Sequence, residues 1–140
     1  MTNAIAAFGA VLQVGDGATP ENFTDIPELR DISGPALSSD VADVTNHGSP
    51  AGMEEAVPTI LRTGDVTFTI GYVPTGAVHD QLLADWKAKS LRNFKLIYAD
   101  AGTTEWPFAA YVTGFTPNNP VGGDITANLT LKITGEIVFP

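Results

Sequence analysis

The chain has 140 residues, 44% of them hydrophobic and 16% charged, with no cysteine and a formal net charge of −9 at pH 7. A chain of this length can bury enough surface to hold a core unaided, so a single domain over residues 1–140 is expected, and disulfide frameworks, thiolate metal sites and a cysteine nucleophile are excluded. The longest stretch free of polar side chains, residues 4–12, is well short of the roughly 20 residues that a membrane-spanning helix needs; no basic residue precedes it as a secretory leader would require, and the negative field disfavours broad contacts with nucleic acid or anionic membrane.

Alternation of apolar and polar residues, the strand period, dominates the pattern. Phe8, Ala10, Leu12 and Val14 alternate up to the turn Gly15-Asp16-Gly17, and Thr19-Pro20-Glu21-Asn22 continues as loop. One short strand is expected between Phe23 and Ile32, interrupted by Pro27. Residues 38–62 differ in kind. Asp40, Asp43, Asn46, His47, Gly48, Ser49, Pro50, Gly52, Glu54, Glu55 and Pro58 leave only scattered apolar positions there, so the stretch reads as a long polar loop that adds little to a core. Loops of that length in compact domains generally serve a function or are disordered.

From Asp65 the strand signal returns, with Val66, Phe68, Ile70 and Tyr72 on one face, and Val73-Pro74-Thr75-Gly76 closes it. A helix is predicted over about residues 77–89, where Val78, Leu82, Leu83 and Trp86 form one apolar stripe. Asp80 in its first turn and Lys87 and Lys89 in its last suit the helix dipole, and Asp85 is placed to pair with Lys89. Phe94, Leu96 and Tyr98 form the next strand, and Asp100-Ala101-Gly102-Thr103 turns it into Trp106, Phe108, Ala110 and Val112. After Gly114-Phe115-Thr116-Pro117 and a second loop, Asn118 to Gly123, the longest alternation places Ile125, Ala127, Leu129, Leu131 and Ile133 on one face. Six or seven strands and one helix make a mainly β fold, a β-sandwich or partly open barrel with one flanking α-helix.

Chemistry-bearing patterns are sparse. The two histidines, His47 and His79, have no nucleophile elbow beside them, and Ser49 is only a loop neighbour of His47. Asp40, Asp43 and His47 could converge on a cation, which would make a small enzyme or metal protein, yet their spacing matches no known ligand set. Gly15-Asp16-Gly17 lacks the remainder of a phosphate or calcium loop. Trp86, Trp106, Tyr72, Tyr98 and Tyr111 offer flat rings for a carbohydrate-binding β-sandwich, with Tyr111 out of phase with its buried neighbours. No catalytic residue, metal site or cofactor is assigned.

Charge is unevenly spread: residues 1–61 hold nine acids against Arg30 alone, and residues 62–140 hold seven acids and six bases. An acidic, β-rich domain with exposed strand edges and a long polar segment has the makings of a self-assembling subunit, because open edges template pairing and a loop ordered on contact can fix the next copy.

The order of segments adds a resemblance. GAVLQVGDGATPENFTDIPELRDISGP, then SSDVADVTNHGSPAGMEEAVPTILRTGDVTFTIGYVP, HDQLLADW, FAAYVTGFTP and TLKITGEI together resemble the major tail tube proteins of long, non-contractile-tailed, lambda-like bacteriophages over nearly the whole chain. The resemblance implies a structural virion protein without enzymatic activity, assembled six to a ring, with stacked rings forming a hollow tube through which DNA passes into the host. It implies an inter-ring role for residues 38–62, carried by Asp40, Asp43, Thr45, His47, Ser49, Met53, Glu54 and Glu55, and sealing contacts from both terminal segments. Tail-tip or initiator and tail-terminator proteins, and a tape-measure protein in an acidic lumen, are the implied partners, with no membrane binding. Assembly is expected in the host bacterial cytoplasm and residence in the virion tail. Some relatives carry a further immunoglobulin-like domain, which is not expected after Pro140. The tube protein of a contractile injection system is a related alternative. The segment Met1–Ala7 is expected to order only on assembly.

Overall fold

A computed structural model describes residues 2–139. Nine strands and one helix follow in chain order: β1 Val11–Gly15, β2 Phe23–Asp25, β3 Leu29–Ser33, β4 Ser38–Asp43, β5 Ala56–Arg62, β6 Asp65–Gly71, α1 Ala77–Ala88, β7 Leu91–Ile97, β8 Glu105–Asn118 and β9 Thr126–Thr134. Seven strands form one antiparallel sheet in the order β2-β1-β7-β8-β9-β6-β3, and β4 pairs with β5 alone. Alternation selects the buried face: Val66, Phe68 and Ile70 of β6, Phe94 and Leu96 of β7, Phe108, Ala110 and Val112 of β8, and Ala127, Leu129, Leu131 and Ile133 of β9 share one core.

The sheet is rolled, as its connectivity requires. β2 and β3 lie at opposite edges of the seven strands, yet only Ile26, Pro27 and Glu28 join them. In this corner the Ile26 amide donates to the Leu12 carbonyl at 3.0 Å, and the Gly71 amide donates to the Glu28 carbonyl at 2.8 Å. The corner thus bridges the two margins, giving the sandwich-like, partly open barrel that the alternation implied. One short strand was expected over residues 23–32; two form, because the corner, with Glu28 left-handed at φ 59°, breaks the run.

Helix α1 fills most of the span predicted for it, with Lys89 as a left-handed cap residue. Its register differs from the apolar stripe. His79, Leu82 and Asp85 are buried, whereas Trp86 is 52% exposed. The reason is pairing. The Val73 amide donates to His79 Nδ1 at 3.2 Å, which leaves Nε2 to donate to the Pro27 carbonyl at 3.0 Å. Asp85 binds Arg92, not Lys89: Arg92 Nε reaches both carboxylate oxygens at 3.0 and 3.1 Å, and Gln81 Nε2 donates at 2.9 Å. The helix is thereby fixed to the corner and to the start of β7.

Three further differences have local causes. Phe8 is 95% exposed, because the chain turns at Phe8–Gly9 before β1 begins. Ile125 precedes β9 and is exposed. Gly114-Phe115-Thr116-Pro117 does not end its strand: β8 runs on to Asn118 beyond an irregularity between Val112 and Gly114, still paired with β9. Residues 2–7 lie outside any helix or strand, and Met1 lies outside the described residues.

Candidate assembly surface

The stretch expected to be a loop is a projecting β-hairpin. Its register pairs Ser38 with Arg62, Ser39 with Leu61, Val41 with Pro58, Ala42 with Val57 and Asp43 with Ala56, with a bulge between Ser39 and Val41. A bulge on an otherwise unpaired ribbon is a place where proline is tolerated, which accounts for Pro58. Every residue of β5 is exposed.

Two glycines fix the hairpin root. Gly34, at φ 107°, and Gly64, at φ 69°, occupy backbone that favours glycine, and a Cβ at Gly64 would sit 2.3 Å from the Ala36 carbonyl oxygen. At Gly34 the added atom would lie 2.6 Å from the Asp65 carbonyl oxygen. The Ala36 amide donates to that same Asp65 carbonyl. The strands enter and leave the body in contact, so the hairpin has one exit direction.

Along the ribbon, Asp40 accepts from Arg62 Nε at 3.1 Å on both oxygens and from Nη2 at 2.7 Å. These bonds hold its carboxyl below the usual range. Asp43 is lowered by its hydrogen bonds with Thr45, one of them from the Thr45 amide at 2.9 Å. At the tip, Thr45 Oγ1 accepts from the Glu55 amide at 2.8 Å and donates to the Glu55 carbonyl at 3.3 Å. Ser49 Oγ accepts from the Asn46 amide at 3.0 Å and donates to Glu55 Oε2 at 3.1 Å. A single 3-10 turn, Pro50–Gly52, completes the tip. The segment expected to gain order on contact therefore already pairs much of its own backbone within the tip.

Thr45, Ser49 and Glu55 meet in this network, while His47, Met53 and Glu54 are exposed around it. Asp40, Asp43 and His47 do not converge: Asp40 is held by Arg62, and among the described residues no three histidine or acidic side chains are grouped to hold a metal. Nor do the aromatics make one platform. Trp106 packs edge-to-face against Tyr98 and Phe139, leaving Tyr111 and Trp86 as the exposed rings of the five candidates.

Sequence reasoning missed the apolar character of the hairpin. Val41 is 61% exposed, Ile60 54% and Leu61 81%, and Ile60 and Leu61 border a cleft of about 750 Å³ with Leu37, Ile133, Ile137 and Phe139. The β-branched run AVPTILR was the available signal. A two-stranded ribbon is marginal alone, and exposed apolar residues on it mark a surface that gains by being covered.

No family model matches the chain, and no curated protein matches it. Solved structures do. The chain is similar to one in the virion of a native gene transfer agent particle, at 15% identity and TM-score 0.77 over 98% of this chain and 99% of that one. A chain in the tail of the empty particle, refined with C6 symmetry, gives 17% identity and TM-score 0.73 over 92% and 95%. The SPP1 tail tube gives 13% identity and TM-score 0.72 over 96% of this chain and 78% of that one. A chain from the sheath–tube complex of the extracellular contractile injection system PVC gives 17% identity and TM-score 0.70 over 100% and 93%. The chain thus has, over essentially its whole length, the fold of the SPP1 tail tube and of these chains from the gene transfer agent particle and the contractile injection system PVC.

Proposed function

We propose that the chain is the repeating subunit of a tail tube, assembling into stacked six-membered rings. The observation that carries this reading is the full-length likeness to chains of tubular tails, one of them C6-symmetric. The projecting hairpin supports it, because an exposed apolar ribbon with a fixed root is suited to engage a neighbouring copy. In this reading Asp40, Asp43, Thr45, His47, Ser49, Met53, Glu54 and Glu55 belong to the contact between rings. The role is structural and asks for no catalytic group or cofactor.

DNA passes through the lumen without specific binding, and a tape-measure protein occupies it beforehand. A trough on the outer face of β3, β6 and the first half of β9 suits that role: Asp31, Ser33, Thr67, Thr69, Asn128 and Thr130 present hydroxyls, an amide and one carboxylate. Such a face offers phosphate no cationic partner. Tip and terminator proteins would cap the ends, with assembly in the bacterial cytoplasm and residence in the virion tail. Among the described residues no helix is long and apolar enough to cross a membrane.

Negative-stain electron microscopy of the concentrated protein tests the proposal, with rings or hollow tubes expected. Deletion of residues 42–54 should abolish tubes while the monomer keeps its sheet. A chain that stays monomeric at high concentration, and also in the presence of the tail-tip complex of the same genome, would refute it. The likeness to a contractile injection system favours one second reading, a tube within a sheath. A sheath-protein gene beside this one would decide for it.

A further inference from the structure

Three of the seven cationic side chains in this acidic protein, Lys87, Lys89 and Lys132, line one groove of about 440 Å³ together with the exposed rings of Trp86 and Tyr111. Lys132 lies 3.5 Å from Asp65; Lys87 and Lys89 have no ion-pair partner among the described residues. The hairpin tip is complementary. Asp43, Glu54 and Glu55 give it three carboxylates and no cation, since Arg62 is engaged by Asp40 at the root. Exposed Met53, next to Glu54 in the chain, adds an apolar side chain to the tip.

We propose that the acidic hairpin tip of one copy docks into the Trp86–Tyr111–lysine groove of a second copy. The inference rests on the tube reading and gives its inter-ring contact a receptor. The groove cannot receive its own tip. Lys132 borders both the groove and the cleft at the hairpin root, beside Ser38 and Arg62. The six residues of β4 carry the tip roughly 20 Å away from that root at about 3.3 Å per residue. A contact between the far end of one copy and the root end of the next joins two different surfaces, so the same contact can repeat from copy to copy along a stack. Exposed ion pairs guide such docking and weaken with salt, while Trp86 and Met53 supply the apolar contact.

The absence of native cysteine allows a direct test. Copies carrying Glu54→Cys are mixed under oxidation with copies carrying Lys87→Cys, or with Ala101→Cys as a control at a distant exposed turn. A covalent dimer is expected with the first partner and not with the second. In parallel, Lys87→Glu with Lys89→Glu should raise the concentration needed for tube growth by about tenfold or more, as should Glu54→Lys; both together in one chain should restore growth.

Tubes that form normally from every charge variant, with no selective cross-link, would overturn the docking and leave the tube reading standing. A selective cross-link in a protein that forms no tubes even with the tail-tip complex of the same genome would sustain the docking and refute the tube reading. Neither tubes under those conditions nor selective cross-linking would refute both. If the lysine reversals instead abolish retention of short DNA duplexes while tube growth is unchanged, the groove is a polyanion site and the docking is wrong.

Discussion

The Asp85–Arg92 pair gives the sharpest test of what holds α1 in place. Asp85 is 2% exposed and accepts a bifurcated Nε–H hydrogen bond from Arg92 on both oxygens and a further one from Gln81. Asp85→Ala strands the guanidinium, and removing one partner of a buried pair costs about 3–5 kcal/mol. The Arg92 side chain retains 23% exposure and can partly rehydrate, so the loss belongs at the low end. We expect about 3 kcal/mol, or roughly 10 °C in Tm for a domain of this size. Replacing both residues, Asp85→Leu with Arg92→Leu, removes the desolvation penalty together with the attraction and should recover most of the loss. Urea denaturation of Asp85→Leu, Arg92→Leu and the double variant, read as midpoints at constant slope, closes the cycle, with Asp85→Ala measured alongside. The reasoning fails if Asp85→Ala stays within about 1 kcal/mol of the parent, or if the double-leucine variant is less stable than Asp85→Ala.

Gly64→Ala forces a side chain into left-handed backbone and against the Ala36 carbonyl, and should cost about 2–4 kcal/mol, whereas Gly102→Ala, with open space around it, should be near neutral; thermal melts of the two compare directly. His79→Ala leaves the Val73 amide and the Pro27 carbonyl without partners and opens a cavity, for a loss of about 3 kcal/mol, visible as faster hydrogen exchange at Val73. Asp16, Asp40, Asp43, Asp100 and Asp124 are all held below the ordinary carboxylate range, Asp16 by the Ala18 and Asn22 amides, Asp100 by Thr104 and Asp124 by Arg30. Their folded values lie under the unfolded ones, so the stability they confer is present above about pH 4 and drains as pH falls through the lowered values. A titration of Tm should be flat near neutrality and descend below that point; a rise in Tm on acidification would contradict the assignment.

The legible parts of the fold are those with one wet and one dry face. β6 and β9 show clean alternation because Val66, Phe68 and Ile70 meet Leu131, Leu129 and Ala127 across a shared ladder. The hairpin β4–β5 carries no such signature: with neither face on the core, Val57, Pro58, Thr59, Ile60 and Leu61 have no reason to alternate. The helix span was readable and its orientation was not. His79 and Asp85 are polar by type, and their partners, Pro27 and Arg92, lie outside the helix, where local hydropathy cannot see them. The inter-ring set that the resemblance implied includes Thr45, Ser49 and Glu55, and these three share one hydrogen-bond network at the tip. The exposed Val41, Ile60 and Leu61 escaped notice because scattered apolar residues in a polar stretch look incidental until they share a ribbon.

The position of the last strand has a consequence for biosynthesis. β9 is inserted between β8 and β6, so its ladders join β2-β1-β7-β8 on one side to β6-β3 on the other. A nascent chain that lacks residues 126–134 has two ribbons with no ladder between them, joined through the Ile26–Glu28 corner and through the β6–α1–β7 link. Non-local pairings of this kind form late. The sheet is therefore expected to close only once β9 has left the ribosome, and a product cut short before residue 126 should lack the ladders that hold its two halves together.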